Sequence, residues 1–316
     1  MRSADVRRLT LGVVAMALAA AGMPGCGTEP SDANSVVYRL AAADSATTGG
    51  LQCFASSTQY SGGAPIRSGN CDVTLRSLEA WFDSSGPNPA LVVGAKVRLY
   101  DGDTTTWRVA IPATIQNYAI QYDFGPVTGP LTDEQVFVLP WTGTLVDGVL
   151  TLRMPNYTNS GQPDRTEYAR ATPTVFVLTA TGRPPRPSAL ARRYTAISIA
   201  ALPMDYCDDD PADVPNRCLH RSFTLAASGT SWEASYDELV HRQDTLVGSV
   251  SWTVSNLTLA HPTAFVRVSS PGAWTIYNPS PFEAQGTLVG DILTLFADNR
   301  TLDGAVTLSP IVARAE

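Results

Sequence analysis

Short runs of alternating apolar and polar residues dominate the chain. Trp107, Val109 and Ile111 fall on one side of a period-2 pattern, with Thr106, Arg108 and Ala110 on the other. Tyr118, Ile120, Tyr122 and Phe124 oppose Asn117, Ala119, Gln121 and Asp123. Further on, Trp232, Ala234 and Tyr236 alternate with Glu233, Ser235 and Asp237. Val250, Trp252 and Val254 alternate with Ser249, Ser251, Thr253 and Ser255. A period of two puts one set on each face of a strand, so the pattern predicts antiparallel sheets wet on one face. Thr144-Leu145-Val146 and Val149-Leu150-Thr151-Leu152 flank Asp147-Gly148, which predicts a hairpin with a type I′ turn. Helical periodicity over 12 or more residues is not convincing outside the N-terminus.

The same pattern occurs twice. Thr142-Gly143-Thr144-Leu145 through Leu152 recurs as Gln285-Gly286-Thr287-Leu288 through Leu295, and Gly290-Asp291 takes the turn. Tyr38-Arg39-Leu40-Ala41 opens one half and Tyr194-Thr195-Ala196-Ile197 opens the other. A cysteine pair follows each opening. Leu99 to Trp107 is then matched with Leu225 to Trp232, and each half closes on an apolar run, Thr174–Leu178 and Ala305–Val312. Landmarks in one order predict a duplicated domain. Thr181-Gly182-Arg183-Pro184-Pro185-Arg186-Pro187-Ser188 reads as a stiff linker. The expected organisation is therefore domain 1 over 36–181, a linker over 182–189 and domain 2 over 190–316. About eight short strands in each half predict an all-β chain of two tandem antiparallel β-barrels, with β-sandwiches as the alternative.

The N-terminus carries a different pattern. Arg2, Arg7 and Arg8 precede an uncharged run from Leu9 to Gly22, too short for a spanning helix of about 20 residues and suited to a cleaved signal. Met23-Pro24-Gly25-Cys26 follows and resembles the lipobox of bacterial lipoproteins. The resemblance implies a signal peptide over 1–25, lipid attachment at Cys26 and a tether over 26–35. Two or three acyl chains there would hold the protein stably on a membrane. The expected location is the bacterial cell envelope: the outer membrane, facing the periplasm or the surface.

Composition sharpens this reading. The 316 residues are 44% hydrophobic and only 16% charged, which excludes a wholly disordered chain. The net charge is −7. Residues 1–25 take three arginines and one aspartate with them, leaving 19 basic and 28 acidic residues and a mature charge of −9. Nucleic acid is not an expected partner. With Cys26 lipidated, Cys53, Cys71, Cys207 and Cys218 remain. An even number in an exported chain predicts two disulfides, and local pairing, Cys53–Cys71 and Cys207–Cys218, keeps each within one half.

Residues that carry catalysis are sparse. His220, His241 and His261 are the three histidines, with no Gly-x-Ser-x-Gly elbow beside them. No catalytic residue is assigned. Gly-rich nucleotide motifs are missing from the sequence, so no cofactor is expected. Asp208, Asp210 and Asp213 form an acidic loop that is at most a weak Ca²⁺ candidate, without EF-hand spacing. The six tryptophans are expected to plug barrel interiors; the alternative is an aromatic pocket for an apolar or sugar ligand.

The opening Tyr-x-Leu strand, the turn-Gly-Thr-x-Trp strand and the Gly-Thr-Leu hairpin make each half similar to bacterial lipocalin-like domains. That resemblance implies up-and-down barrels. Tyr38 and Tyr194 stand where true lipocalins carry Gly-x-Trp. The expected function is a lipid-anchored envelope protein with a binding or scaffolding role and no catalysis. A carrier of small hydrophobic ligands and a hydrolase with an unrecognised site are the alternatives. The membrane is the expected partner through the N-terminal lipid, with a small apolar ligand as a further candidate and no protein partner assigned.

Overall fold

The computed structural model describes residues 36–44, 52–61, 64–84, 89–99, 102–122, 142–154, 166–169, 174–208, 217–242, 245–261, 264–271, 282–297 and 309–316. Regular structure among them is all strand. The first ten strands are β1 (Tyr38–Asp44), β2 (Gln52–Ser61), β3 (Ala64–Asp83), β4 (Ala90–Leu99), β5 (Thr104–Gln116), β6 (Ala119–Tyr122), β7 (Thr142–Val146), β8 (Val149–Met154), β9 (Thr166–Ala169) and β10 (Thr174–Thr179). They pair in the order β1-β10-β8-β7-β6-β5-β4-β3-β2-β9, and β1 also pairs with β3. That last pairing closes an eight-stranded antiparallel barrel, leaving β2 and β9 as a flap on β3.

The next ten are β11 (Arg193–Ile199), β12 (Leu202–Pro203), β13 (Asp205–Asp208), β14 (Arg217–Ser228), β15 (Ser231–Arg242), β16 (Thr245–Ala260), β17 (Phe265–Ser269), β18 (Glu283–Val289), β19 (Ile292–Ala297) and β20 (Ile311–Ala315). Their order is β12-β11-β20-β19-β18-β17-β16-β15-β14-β13, and pairing of β11 with β14 closes a second barrel of eight. Ring closure, which leaves no edge within the ring, distinguishes these barrels from the sandwich alternative.

Register ties the two rings together. Tyr38 lies opposite Ala80, as Tyr194 lies opposite Leu225. A bulge follows two residues later in both opening strands, at Leu40/Ala42 and at Ala196/Ser198. Cross-strand rows then match: Leu78–Ala95–Trp107 with Phe223–Tyr236–Trp252, and Ser77–Lys96–Thr106 with Ser222–Asp237–Ser251. The landmark pairing of Leu99–Trp107 with Leu225–Trp232 is thereby corrected. The first spans β4 to β5 and the second β14 to β15, one hairpin out of step. A glycine turn followed by a tryptophan is too generic to fix which hairpin it belongs to.

Turns explain where strands stop. Asp147 and Gly148 have φ of 47° and 73°, the left-handed pair that a type I′ turn needs. Asn117 and Tyr118, at 48° and 66°, form another such turn. The strand expected to start at Asn117 therefore starts at Ala119; asparagine tolerates the left-handed region, and this outweighs the alternation. Ala200 and Ala201 are also left-handed, at 51° and 65°, where alanine has no intrinsic preference to be. Surrounding bonds hold them. The Ala200 N–H donates to the Pro310 carbonyl at 2.9 Å, and the Arg221 guanidinium donates to the Pro203 carbonyl at 2.8 Å.

The chain divides into two compact units, one holding residues 115–121, 142–151 and 184–316 and the other the remainder. Within that first-named unit four buried threonines satisfy one another. Thr144 and Thr294 share a hydrogen bond at 3.3 Å, Thr151 and Thr287 one at 3.1 Å. Pairing removes the cost of burying a lone hydroxyl.

Candidate functional site

The second barrel is solid. Tyr194, Phe223, Leu225, Tyr236, Phe282 and Leu293 are fully buried in one cluster, with Trp232 and Trp252 packed against it. The Trp252 ring centroid lies 5.6 Å from Tyr236, 5.7 Å from Phe282 and 6.5 Å from Phe223. These are tilted and edge-on contacts at the separations aromatic pairs favour. Of the tryptophans expected to plug the interior, Trp232 and Trp252 are partly buried against this core and Trp274 lies outside the described residues.

The two tyrosine hydroxyls inside this core are engaged. The Tyr236 hydroxyl donates to Glu238 Oε2 at 2.6 Å, and the Tyr194 hydroxyl accepts from the Ala191 N–H at 2.8 Å. Burial raises the Tyr236 pKa far above its usual value, and the hydrogen bond and charge of Glu238 push the same way. Burial also raises Tyr194 and, in the first barrel, Tyr38. Tyr194 and Tyr236 are thus packing groups with satisfied tips.

Beyond the barrel wall, β13, β14 and β15 continue as an arm stapled by the Cys207–Cys218 disulfide, whose residues lie directly opposite each other. His220 Nδ1 lies 2.9 Å from Asp205 Oδ1, and its ring meets that of His241 edge-on at 5.3 Å. Cys218 is paired in register with His241. A carboxylate, two imidazoles and a sulfur thus share one face. The sulfur is tied up in the bridge, so this group lacks a nucleophile. His261 stands apart at the end of β16, its pKa lowered by burial.

The other residues singled out in the sequence fall as follows. Cys26, Asp210 and Asp213 lie outside the described residues. Asp208 ends β13 opposite Arg217 in backbone register. Cys53 and Cys71 sit on the paired strands β2 and β3, opposite Thr74 and Ser56. Their side chains, and a bridge between them, lie outside what is described. Among the described residues no three His, Cys, Asp or Glu side chains gather as a metal site would require.

Sequence reading missed one cluster. Arg76, Lys96 and Arg98 border a shallow, open depression on the outer wall of the first barrel, together with Ser77, Gly102 and Thr104. All three cations are exposed. Lys96 and Arg98 are two apart on β4 and so share a face, a signal visible in the sequence. Arg76 joins them because a bulge between Leu75 and Ser77 inserts it into β3, and nothing in the sequence marks that bulge.

Comparison with protein-family models, curated proteins and solved structures finds no match to this chain. Function is therefore argued from the two barrels themselves.

Proposed function

We propose that this chain is a lipid-anchored protein of the bacterial cell envelope whose two lipocalin-like barrels serve as a scaffold that binds through outer surfaces. The observation that carries the reading is the filled second barrel. Five aromatic side chains, Tyr194, Phe223, Tyr236, Trp252 and Phe282, occupy the space in which a lipocalin-type ligand would sit. The lipobox-like Met23-Pro24-Gly25-Cys26 supports the anchor, and an exported chain also suits a second bridge at Cys53–Cys71.

Fractionation of producing cells tests the anchor. Acyl chains resist washing with 0.5 M salt, whereas purely electrostatic attachment is screened away. The wild-type chain should stay with washed membranes and Cys26→Ser should leave them. Retention of Cys26→Ser after the wash would sink the reading.

A carrier role is the second reading, and one observation favours it for the first barrel alone. Ala95 stands in the register position of Tyr236, and Ala80 in that of Leu225. Smaller inward residues leave more room. Organic extraction of the purified protein should then release a lipid, and Ala95→Tyr should abolish that release. An extract with no lipid rules the carrier out.

A further inference from the structure

At the register row of the basic depression the second barrel carries an acid. Lys96 is the chain's sole lysine. In the row Ser77–Lys96–Thr106 it takes the place that Asp237 takes in Ser222–Asp237–Ser251. Asp237 is satisfied by its own row: Ser251 donates to it at 2.5 Å and Ser222 at 3.4 Å. Lys96 has no such partner. Among the described residues neither it nor Arg76 nor Arg98 belongs to an ion pair. Arg98 lies over Gly102, with Nη2 3.6 Å from where a Cβ would stand, so its guanidinium rests on backbone. Acids stand close along the chain at Asp72, Glu79, Asp101 and Asp103, and Glu79 lies over Gly94. Among the described residues, two guanidinium forks, one ammonium and the hydroxyls of Ser77 and Thr104 thus border the depression with no ion pair to a carboxylate.

We propose that this face docks on the phosphate groups of an anionic lipid surface. Three further points support that occupant. The depression is open and shallow, which suits a surface better than an enclosed solute. The chain from residue 26 onward carries −9, so an anionic surface repels most of it and favours approach by a face with three exposed cations. Third, β1 enters the barrel at Tyr38 opposite Ala80, four residues along β3 from Arg76, or about 13 Å. The segment from Cys26 to Tyr38 reaches at most about 40 Å. A lipid on Cys26 would hold the patch within reach of headgroups, adding the basic contact that a lipid anchor commonly recruits. This last point rests on the proposed anchoring; the charge and shape arguments do not.

The test uses the chain from residue 26 onward, both barrels included, with Cys26→Ser so that no lipid is attached. Vesicles of phosphatidylcholine with 30% phosphatidylglycerol should sediment it at low salt, and pure phosphatidylcholine should not. Arg98→Gln should weaken the partition about five-fold, and the Arg76→Gln, Lys96→Gln, Arg98→Gln triple variant about 100-fold. Arg242→Gln, on the second barrel, should change nothing. The single variant and an unchanged circular dichroism spectrum guard against misfolding. Equal sedimentation of wild-type and triple variant overturns the proposal. So does competition by millimolar glycerol 1-phosphate, which would mark a site for a soluble phosphate. Failure of the Cys26→Ser fractionation would remove the anchor and leave this result standing.

Discussion

At one register row the first barrel presents an ammonium, Lys96, beside Ser77 and Thr106, while the second presents a carboxylate, Asp237, bonded by Ser222 and Ser251. One step inward along the same strands, Ala95 faces the core of the first and Tyr236 that of the second. The shared topology has kept backbone pairing and let both faces drift. Strand pairing depends on main-chain groups that every residue supplies, whereas each face depends on side chains alone. The inner difference makes the second barrel a packed solid. The outer difference leaves the first with three exposed cations that join no ion pair among the described residues. The two domains therefore share a fold and differ on both of its faces.

The inner difference predicts the largest effect. Phe223 is fully buried between Trp252 and Phe282. Phe223→Ala should cost about 3–5 kcal/mol in urea unfolding. Leu78 holds the matching place beside Ala95 in the first barrel, and Leu78→Ala should cost about 2–3 kcal/mol, near the low end for buried leucine. Equal costs would show that the first interior is as tightly filled as the second, and would weigh against a carrier role there.

Next comes the staple on the arm. Cys207 and Cys218 are 11 residues apart. Closing a loop of that length in the unfolded chain stabilises the fold by about 2–3 kcal/mol. Cys207→Ala with Cys218→Ala should lower the urea midpoint by a matching amount and leave the first barrel's transition in place. If both transitions move together, the two barrels unfold as one body and the contrast between them loses its thermodynamic meaning.

Much of this was legible in the chain. Alternation at Trp232–Tyr236 and Val250–Val254 marked β15 and β16, and Asp147-Gly148 marked the β7–β8 turn. Those signals are local, and local chemistry carries them. What escaped is non-local. The pairing of β1 with β3 that closes the ring has no signature in either strand. The bulge that adds Arg76 to Lys96 and Arg98 appears only when β3 is laid against β4. The mistaken match of Trp107 to Trp232 has the same origin, since hairpins resemble one another until partners are counted around the barrel. The Ala200-Ala201 turn has no local signature, since Pro310 and Arg221, both distant in sequence, supply the bonds around it.

Alkaline pH should separate the barrels further. Burial raises the pKa of Tyr194 and Tyr236 in the second and of Tyr38 in the first. Below about pH 10 these phenols are neutral in both folded and unfolded chains, and their contribution is intact. Above it the unfolded chain ionises first, so stability falls as pH rises, by up to about 1.4 kcal/mol per unit for each group. The second barrel should lose stability more steeply than the first between pH 10 and 11. Tyr236→Phe should cost about 1–2 kcal/mol at neutral pH by leaving Glu238 without its donor, and should flatten that slope. An unchanged slope would mean that Tyr236 ionises within the fold.

The smallest effect probes the outer difference. Asp237→Lys places in the second barrel the charge that the first carries at Lys96. Both hydroxyl bonds to the carboxylate are lost, yet the site is exposed, so the change in stability should stay within about 1 kcal/mol. Its consequence should appear in binding. If the sign of this single row decides which barrel meets an anionic surface, Asp237→Lys should raise vesicle partition about five-fold even when Lys96 is glutamine. No gain would show that the row acts only together with Arg76 and Arg98. The bulge on β3 would then be the feature that makes the first barrel's outer face distinct, since it alone brings the third cation to the row.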